Sequence, residues 1–282
     1  MFEMSRYVST VKPALRRILP VIAFAAMLGV LSAVTPRRSE ALSTGSFSWD
    51  GTLRRVRVPI LMYHYVSPLP ANADAIRRDL DVTPENFRSQ MEWLKANGYH
   101  TITPDQLAGA LLRGEKLPSN PIMLTFDDGY DDAYSVAFPI LEELGLTGTF
   151  FVVSAFVDQN RGGYITWEQA KEMAAEGMSI QDHSRLHKDM RGRTREWLDD
   201  EIIPSRDRIE AITGVRPLFF CYPSGGYNSL TIDQVRAAGF VAGFTTSDGT
   251  YVYTDNMLRL PRVRIRGSTT LPGYARLITW NR

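Results

Sequence analysis

The chain has 282 residues, 44% hydrophobic and 22% charged, which suits a globular protein with one sizeable domain. The net charge is +1, but residues 1–48 hold six basic and two acidic residues, so the remainder carries −3 and nucleic acid is not an expected partner. Cys221 is the only cysteine, which excludes an intramolecular disulfide and a cysteine-based zinc site.

The N-terminal segment, residues 1–41, has the layout of an export signal. Lys12, Arg16 and Arg17 precede an apolar run over 18–34, as in a secretory signal peptide. Small residues at 39 and 41 suit cleavage, whereas an uncleaved run would form an N-terminal membrane anchor. We therefore expect an exported protein that is periplasmic, at the cell surface or secreted, either processed or anchored to the cytoplasmic membrane. Residues 42–55, which lack periodicity, are predicted to be a linker.

From residue 56 to residue 282, apolar strand-like runs alternate with helical patterns in what we predict to be one domain. Strands are predicted at 58–65, 122–126, 149–153, 178–181, 218–222, 241–245 and 260–265. Helices are predicted at 84–97, 131–144, 167–176, 194–213 and 229–238, each followed by a glycine suited to a left-handed cap. This order indicates an α/β fold with parallel strands, and about seven units favour a barrel over an open sheet.

The first motif with chemical potential is Thr-Phe-Asp-Asp-Gly-Tyr at residues 125–130, where a predicted strand ends in Asp127 and Asp128. The carboxyl ends of parallel strands face the ligand side of such folds. Adjacent residues at a strand end diverge, so one aspartate can bind a metal while the other faces substrate. The alternative is that an aspartate here only caps the helix that follows.

The second motif is His183-Ser-Arg-Leu-His187, directly after the strand predicted at 178–181. Two histidines four residues apart share a face of a helical turn and can bind one metal. One carboxylate and two imidazoles would leave coordination positions open, as in catalytic zinc sites.

The third motif is Cys-Tyr-Pro-Ser-Gly-Gly-Tyr at residues 221–227, another strand end that enters a turn. Its proline and glycines predict a tight loop whose backbone N–H groups could face an oxyanion. An ordinary strand-to-helix connection is the alternative.

These three motifs, in this order, resemble the carbohydrate esterase family 4 polysaccharide deacetylases, also called the NodB homology domain. The family motifs T-F-D-D-G and H-[ST]-x-x-H match residues 125–129 and 183–187 without a mismatch. The resemblance covers roughly residues 56–266. It implies a distorted (β/α)7 barrel that removes acetyl groups from an N-acetylated polysaccharide.

The resemblance also implies roles for individual residues. Asp127 would be the general base, and Asp128, His183 and His187 would hold a divalent metal. Zinc is the favoured ion, although the donor set also accepts cobalt, nickel or iron. The backbone N–H of Tyr222 would hold the oxyanion, and Pro223 and Gly225 would complete that substrate-binding turn.

Two departures from the family pattern affect this assignment. Many members carry an arginine that orients the base where this chain has Cys221; Arg262 or Arg264 could replace it, or both could face outward from their strand. No histidine follows residue 260, although the family's last motif normally supplies the acid from there. His64, in Met-Tyr-His at the end of the first predicted strand, resembles the acid of a circularly rearranged branch that includes exported poly-N-acetylglucosamine deacetylases. The alternative for His64 is a buried structural histidine.

The substrate and the activity stay open at this point. The branch resemblance favours β-1,6-linked N-acetylglucosamine, while peptidoglycan, chitin-like oligosaccharide and O-acetylated xylan are further candidates. Two other functions are a catalytically inactive polysaccharide-binding domain of an export or adhesion assembly, and a metal-dependent amidase for non-sugar amides. Aromatic residues near the motifs, Tyr65, Tyr130 and Tyr164 among them, could stack on sugars or belong to the core.

Overall fold

The computed structural model describes residues 47–279. The predicted signal or anchor and the first residues of the predicted linker lie outside this range. Within it, no helix is both long and apolar enough to cross a membrane.

Ten strands occur among the described residues. They are β1 (Arg55–Arg57), β2 (Ile60–Tyr63), β3 (His100–Thr101), β4 (Pro121–Phe126), β5 (Thr149–Val152), β6 (Ser179–Asp182), β7 (Phe219–Cys221), β8 (Ala242–Phe244), β9 (Tyr251–Tyr253) and β10 (Val263–Arg264). All seven predicted strands are therefore present, with shorter bounds at most ends. The short strands β1, β3 and β9 were not predicted.

The α-helices of the same range lie between the strands. They are α1 (Ala75–Leu80), α2 (Pro84–Ala96), α3 (Pro104–Arg113), α4 (Phe138–Leu144), α5 (Ser154–Asp158), α6 (Trp167–Ala175), α7 (Arg195–Thr213), α8 (Ser229–Ala237) and α9 (Leu271–Thr279). A π-helical turn at Ala133–Ala137 leads into α4, and 3₁₀ turns occupy Pro223–Gly225 and Thr254–Arg259. The five predicted helices are all found, and α1, α3, α5 and α9 are additional.

The main sheet is parallel and has the order β10-β2-β4-β5-β6-β7-β8, with β3 added beside β4. One segment connects its two outer strands. Leu260 forms a parallel bridge with Phe244 at the end of β8, and the next residues form β10, which pairs with β2. These pairings complete a ring, so the prediction of a distorted (β/α)7 barrel is confirmed.

The strands are buried on both faces, which holds their carboxyl ends in place. All four residues of β2 are fully buried, and three of them belong to two different apolar clusters. Leu61 and Tyr63 pack under the helices, whereas Ile60 packs with Phe151 and Phe219 from other strands. Near-continuous apolar strands are typical of parallel sheets covered on both sides.

The described part of the predicted linker packs on this domain. The Phe47 ring contacts the Phe219 ring edge-on at 6.3 Å, and the Arg54 guanidinium donates to the carbonyl oxygen of Leu111. Arg55, predicted as the last linker residue, is the first residue of β1, which pairs antiparallel with β9.

Candidate active site

Parallel register places His64 and Asp127 side by side. Tyr63, the last residue of β2, is the register partner of Phe126, the last residue of β4. The next residues therefore leave neighbouring strands at the same edge, and the Asp127 N–H donates to the Tyr63 carbonyl oxygen at 3.0 Å. His64 Nε2 lies 3.9 Å from Asp127 Oδ2, with the two side chains 12% and 3% exposed.

Asp128 turns away from Asp127 and meets the two histidines of the second motif. Its φ of 72° is in the left-handed region, where a non-glycine residue is uncommon and strained, and this directs the carboxylate to the β6 side. Asp128 Oδ1 lies 3.3 Å from His183 Nε2 and 3.0 Å from His187 Nε2.

These three groups fit a divalent cation. Their ligand atoms all lie within 4.8 Å of one another, and buried Asp128 Oδ1 accepts no aligned hydrogen bond. His183 Nδ1 lies 2.7 Å from the Cys221 carbonyl oxygen, so this nitrogen carries the proton and Nε2 keeps its lone pair for a metal. Asp127, His183 and Cys221 form a second group of similar spacing, but the guanidinium of Arg262 contacts both Asp127 and Cys221 and disfavours a cation there.

The two histidines do not share a helical turn, and that prediction is wrong. The segment is an irregular loop in which Ser184 and His187 have φ values of 65° and 53°. Side chains stabilise it: Ser184 N–H donates to Asp182 Oδ1 at 2.8 Å, and Leu186 N–H donates to Glu201 Oε2 at 2.8 Å. Such local hydrogen bonds compete with helix formation and bring both rings to Asp128 by another path.

Arg262 takes the orienting position at Asp127. Its Nη1 and Nη2 donate to the two carboxylate oxygens of Asp127 at 2.7 Å each, and its Nε donates to the Thr245 carbonyl oxygen at 2.8 Å. Arg262 is 1% exposed, so the outward orientation considered for it is wrong. Arg264 instead faces Asp79, with Nη1 3.7 Å from Oδ2.

The electrostatic surroundings keep Asp127 ionised. Burial alone would raise its pKa, but the paired Arg262 guanidinium outweighs burial and lowers the pKa to about 2. Burial also lowers the pKa of His64, against the opposing charges of Asp127 and Asp128. The arrangement therefore offers a proton-accepting carboxylate beside an imidazole that releases its proton readily.

The third motif does not supply the predicted oxyanion donor. Tyr222 N–H donates to the Phe244 carbonyl oxygen at 3.1 Å because β7–β8 pairing uses it. Gly225 N–H donates back to the Tyr222 carbonyl oxygen at 2.9 Å within the 3₁₀ turn. Tyr222 and Pro223 are buried, so these residues shape the turn, and the prediction of an oxyanion contact by Tyr222 N–H is wrong.

Comparison with known proteins agrees with this geometry. The polysaccharide deacetylase family model matches residues 114–243. YxkH of Bacillus subtilis strain 168, a protein assigned to the polysaccharide deacetylases, is 33% identical over 219 residues, which cover 77% of this chain and 75% of YxkH. The chain therefore belongs to the polysaccharide deacetylases, hydrolases that act on N-acetylated amino-sugar polymers.

Two further proteins are similar to this chain. The poly-β-1,6-N-acetyl-D-glucosamine N-deacetylase of Escherichia coli K12 is 26% identical over 247 residues, and the match covers 72% of this chain but only 36% of that protein. The solved structure of the Streptococcus pyogenes deacetylase PplD in complex with acetate has a TM-score of 0.74 and 29% identity, covering 80% of this chain and all of that chain.

Proposed function

We propose that this deacetylase is metal-dependent, with the metal held by Asp128, His183 and His187, Asp127 as general base and His64 as general acid. One observation carries the proposal. Asp127, held ionised by Arg262, lies beside the three converging metal-binding groups and 3.9 Å from His64.

The donor set supports zinc as the native ion, with cobalt, nickel or iron as further candidates. A bound divalent cation would supply a water of lowered pKa and would polarise the acetyl carbonyl. Three protein ligands leave room for both water and substrate.

The proton transfers follow from the positions of the side chains. Asp127 accepts a proton as the water oxygen forms its bond to the acetyl carbon, and Arg262 keeps the carboxylate in one orientation. His64 donates a proton to the amide nitrogen as the carbon–nitrogen bond breaks. Because burial lowers its pKa, His64 gives up that proton more readily than an ordinary histidine. Acetate and a free sugar amine are the products.

For the substrate we propose a polymer of β-1,6-linked N-acetylglucosamine. The support is the similarity to the poly-β-1,6-N-acetyl-D-glucosamine N-deacetylase of Escherichia coli and the position of His64 at the end of the first barrel strand. The export signal or anchor predicted at residues 1–41 would place the enzyme with such a polymer outside the cytoplasm.

The test compares free-amine release by the full chain from β-1,6- and β-1,4-linked N-acetylglucosamine oligomers and peptidoglycan fragments. We expect the β-1,6 oligomers to have the highest kcat/KM. His64→Ala should lower kcat by about 10²- to 10⁴-fold, the usual contribution of a positioned acid. His100→Ala is the matched control because His100 is exposed and its Nδ1 contacts only the Ser119 carbonyl oxygen.

Two results would contradict the proposal. If the kcat of His64→Ala equals the kcat of His100→Ala, a residue other than His64 must be the general acid. Failure to release amine from any amino-sugar oligomer by a metal-loaded protein would favour the inactive polysaccharide-binding domain.

A further inference from the structure

Three tyrosines that the mechanism does not use border the proposed metal site. Tyr65 follows the proposed acid, Tyr130 comes two residues after the first metal ligand, and Tyr164 lies between α5 and α6. All three are partly exposed, and none belongs to an apolar core cluster formed within residues 47–279, whereas Tyr63 and Tyr222 do. We call Tyr65, Tyr130 and Tyr164 the tyrosine wall.

The rings of the tyrosine wall pack in a row, with one stacked pair and one tilted pair. Tyr65 and Tyr130 lie 3.7 Å apart between centroids at 21°, and Tyr130 and Tyr164 lie 5.2 Å apart at 33°. The Arg77 guanidinium covers Tyr65 at 3.3 Å, and Phe156 packs against Tyr164 at 4.8 Å. Because neighbours cover the ring faces, the wall offers a ligand its edges and hydroxyl groups.

Backbone hydrogen bonds attach the wall to the turn that holds the metal ligand. Tyr130 and Tyr164 form an antiparallel bridge. Ile165 N–H donates to the Gly129 carbonyl oxygen at 3.0 Å, and Asp131 N–H donates to the Gly163 carbonyl oxygen at 3.1 Å. The position of the wall relative to Asp128 is therefore fixed before substrate binds, which reduces the entropic cost of binding.

The guanidinium at the end of the stack is held equally firmly. Arg77 Nε donates to buried Asp81 Oδ2 at 2.8 Å, and Nη2 donates to Ser67 Oγ at 2.7 Å. With Asp81 neutralising Arg77, the wall presents neutral phenols rather than a net charge. Burial raises the pKa of Tyr65 and Tyr164, so both hydroxyls stay protonated and can donate as well as accept.

We propose that the tyrosine wall is a subsite for the sugar residue adjoining the one that is deacetylated, and that its phenol edges hydrogen-bond the hydroxyls of that neutral pyranose. This inference rests on the proposed function. A row of neutral donors and acceptors matches a polyhydroxylated ring, and its place beside Asp128 suits the next unit of a polymer. The wall thus makes the enzyme favour chains over single sugars.

The test measures chain-length preference, defined as kcat/KM for the β-1,6-linked N-acetylglucosamine trisaccharide divided by kcat/KM for N-acetylglucosamine. Tyr65→Phe and Tyr164→Phe keep the stacked rings and remove one hydroxyl each. We expect each to lower the ratio by about 2- to 10-fold, the usual worth of one neutral hydrogen bond. Tyr251→Phe is the matched control because its ring lies on β9 under the Arg55 guanidinium, 3.7 Å away, and it should leave the ratio unchanged.

A binding measurement separates this inference from the proposed function. In the Asp127→Asn background, adding Tyr65→Phe should raise the trisaccharide Kd by the factor by which Tyr65→Phe lowers the chain-length preference. An unchanged ratio in both Phe variants, together with an unchanged Kd on adding Tyr65→Phe, would overturn the subsite and leave the wall a structural stack. If the parent protein releases no amine from either sugar, the proposed function fails, while the Kd comparison still decides the subsite.

Discussion

The pairing of Arg262 with Asp127 explains how this chain manages without arginine at position 221. The guanidinium arrives from the segment before β10 and fills space next to Cys221, whose Sγ lies 3.2 Å from Nη2 and 3.6 Å from Asp127 Oδ2. A larger side chain at 221 would occupy that space. Arg262 therefore makes with the carboxylate the contact that the family resemblance led us to expect from position 221.

Replacing Arg262 by Lys should impair the base. Lysine cannot make the planar two-point contact, so the Asp127 carboxylate would lose its fixed orientation and part of its charge stabilisation. With that counter-charge weakened, burial dominates and the pKa of Asp127 rises from about 2. Because the base works only when ionised, the acid limb of the kcat/KM profile should move to higher pH and kcat should fall.

The control is Arg266→Lys, at an exposed arginine in the same C-terminal segment that pairs with Asp79. Its pH profile should match the parent. An unshifted acid limb in Arg262→Lys would show that Arg262 does not set the ionisation of the base.

At the scale of single elements, the end of β6 determines where the two histidines proposed as metal ligands lie. Asp182 is fully buried and its Oδ1 accepts from Ser184 N–H at 2.8 Å and from Ser205 Oγ at 2.7 Å. These bonds tie the ligand loop to β6 and to α7. Burial, against both hydrogen bonds, raises the pKa of Asp182 to about 8.

This shift makes a prediction about stability and pH. The folded protein holds the Asp182 proton more tightly than the unfolded chain, whose carboxyl has the ordinary pKa of 3.8. The contribution to stability is therefore complete below about pH 4 and is lost as pH rises toward 8, at up to about 1.4 kcal/mol per pH unit. Asp182→Asn should remove this loss, so the variant should gain stability relative to the parent between pH 5 and pH 8.

Urea unfolding of the metal-free proteins at pH 5 and at pH 8 measures this gain in stability. The comparison uses the difference in unfolding free energy between parent and Asp182→Asn, since other carboxyls contribute equally to both. A difference that is the same at pH 5 and pH 8 would contradict a buried, protonated Asp182.

Local sequence patterns were sufficient to predict most helices and strands. They failed where contacts between residues distant in sequence determine the conformation. Apolar runs predicted the seven strands, and the motifs at the strand ends pointed to Asp127, Asp128, His64, His183 and His187, which the structure brings together. The histidine loop was predicted as a helical turn because spacing alone does not reveal the hydrogen bonds from Asp182 and Glu201. The Arg262 contact spans 135 residues, so the sequence could name the arginine only as one of two candidates.

The unpredicted elements are of two kinds. Helix α3 has the threonine–proline start and capping box of a helix, with Thr103 accepting from Gln106 N–H, so its beginning could have been predicted from the sequence. Strands β1 and β9 have three residues each and are defined by pairing with each other across most of the domain. Such pairings leave little periodicity in either segment.

At the scale of the whole molecule, ring closure and the site depend on the same short segment. Leu260 pairs beside β8, Arg262 enters the site, and Val263 pairs beside β2. The carboxyl ends of β2, β4 and β6 then bring the proposed acid, base and metal ligands to one edge of the sheet. This is the edge at which parallel α/β barrels bind their ligands.

Metal binding should stabilise the entire described domain, because the ligands come from separate strands. At a zinc concentration 100 times its Kd, binding should add about 2.7 kcal/mol to the unfolding free energy of metal-free protein. That corresponds to a rise in Tm of roughly 5–10 °C for a domain of this size. His187→Ala should lose most of the rise and His100→Ala should keep it. Equal zinc-induced rises in Tm for the two variants would show that the metal binds elsewhere.

The most direct test of the central claim is acetate release from β-1,6-linked N-acetylglucosamine oligomers by the full chain, with chelated and zinc-restored protein side by side. We predict that acetate and free amine appear in equal amounts, that chelation abolishes both and zinc restores both, and that Asp127→Asn is inactive in either state. Turnover that survives chelation, or an Asp127→Asn protein as active as the parent, would contradict a metal-dependent deacetylase with Asp127 as its base.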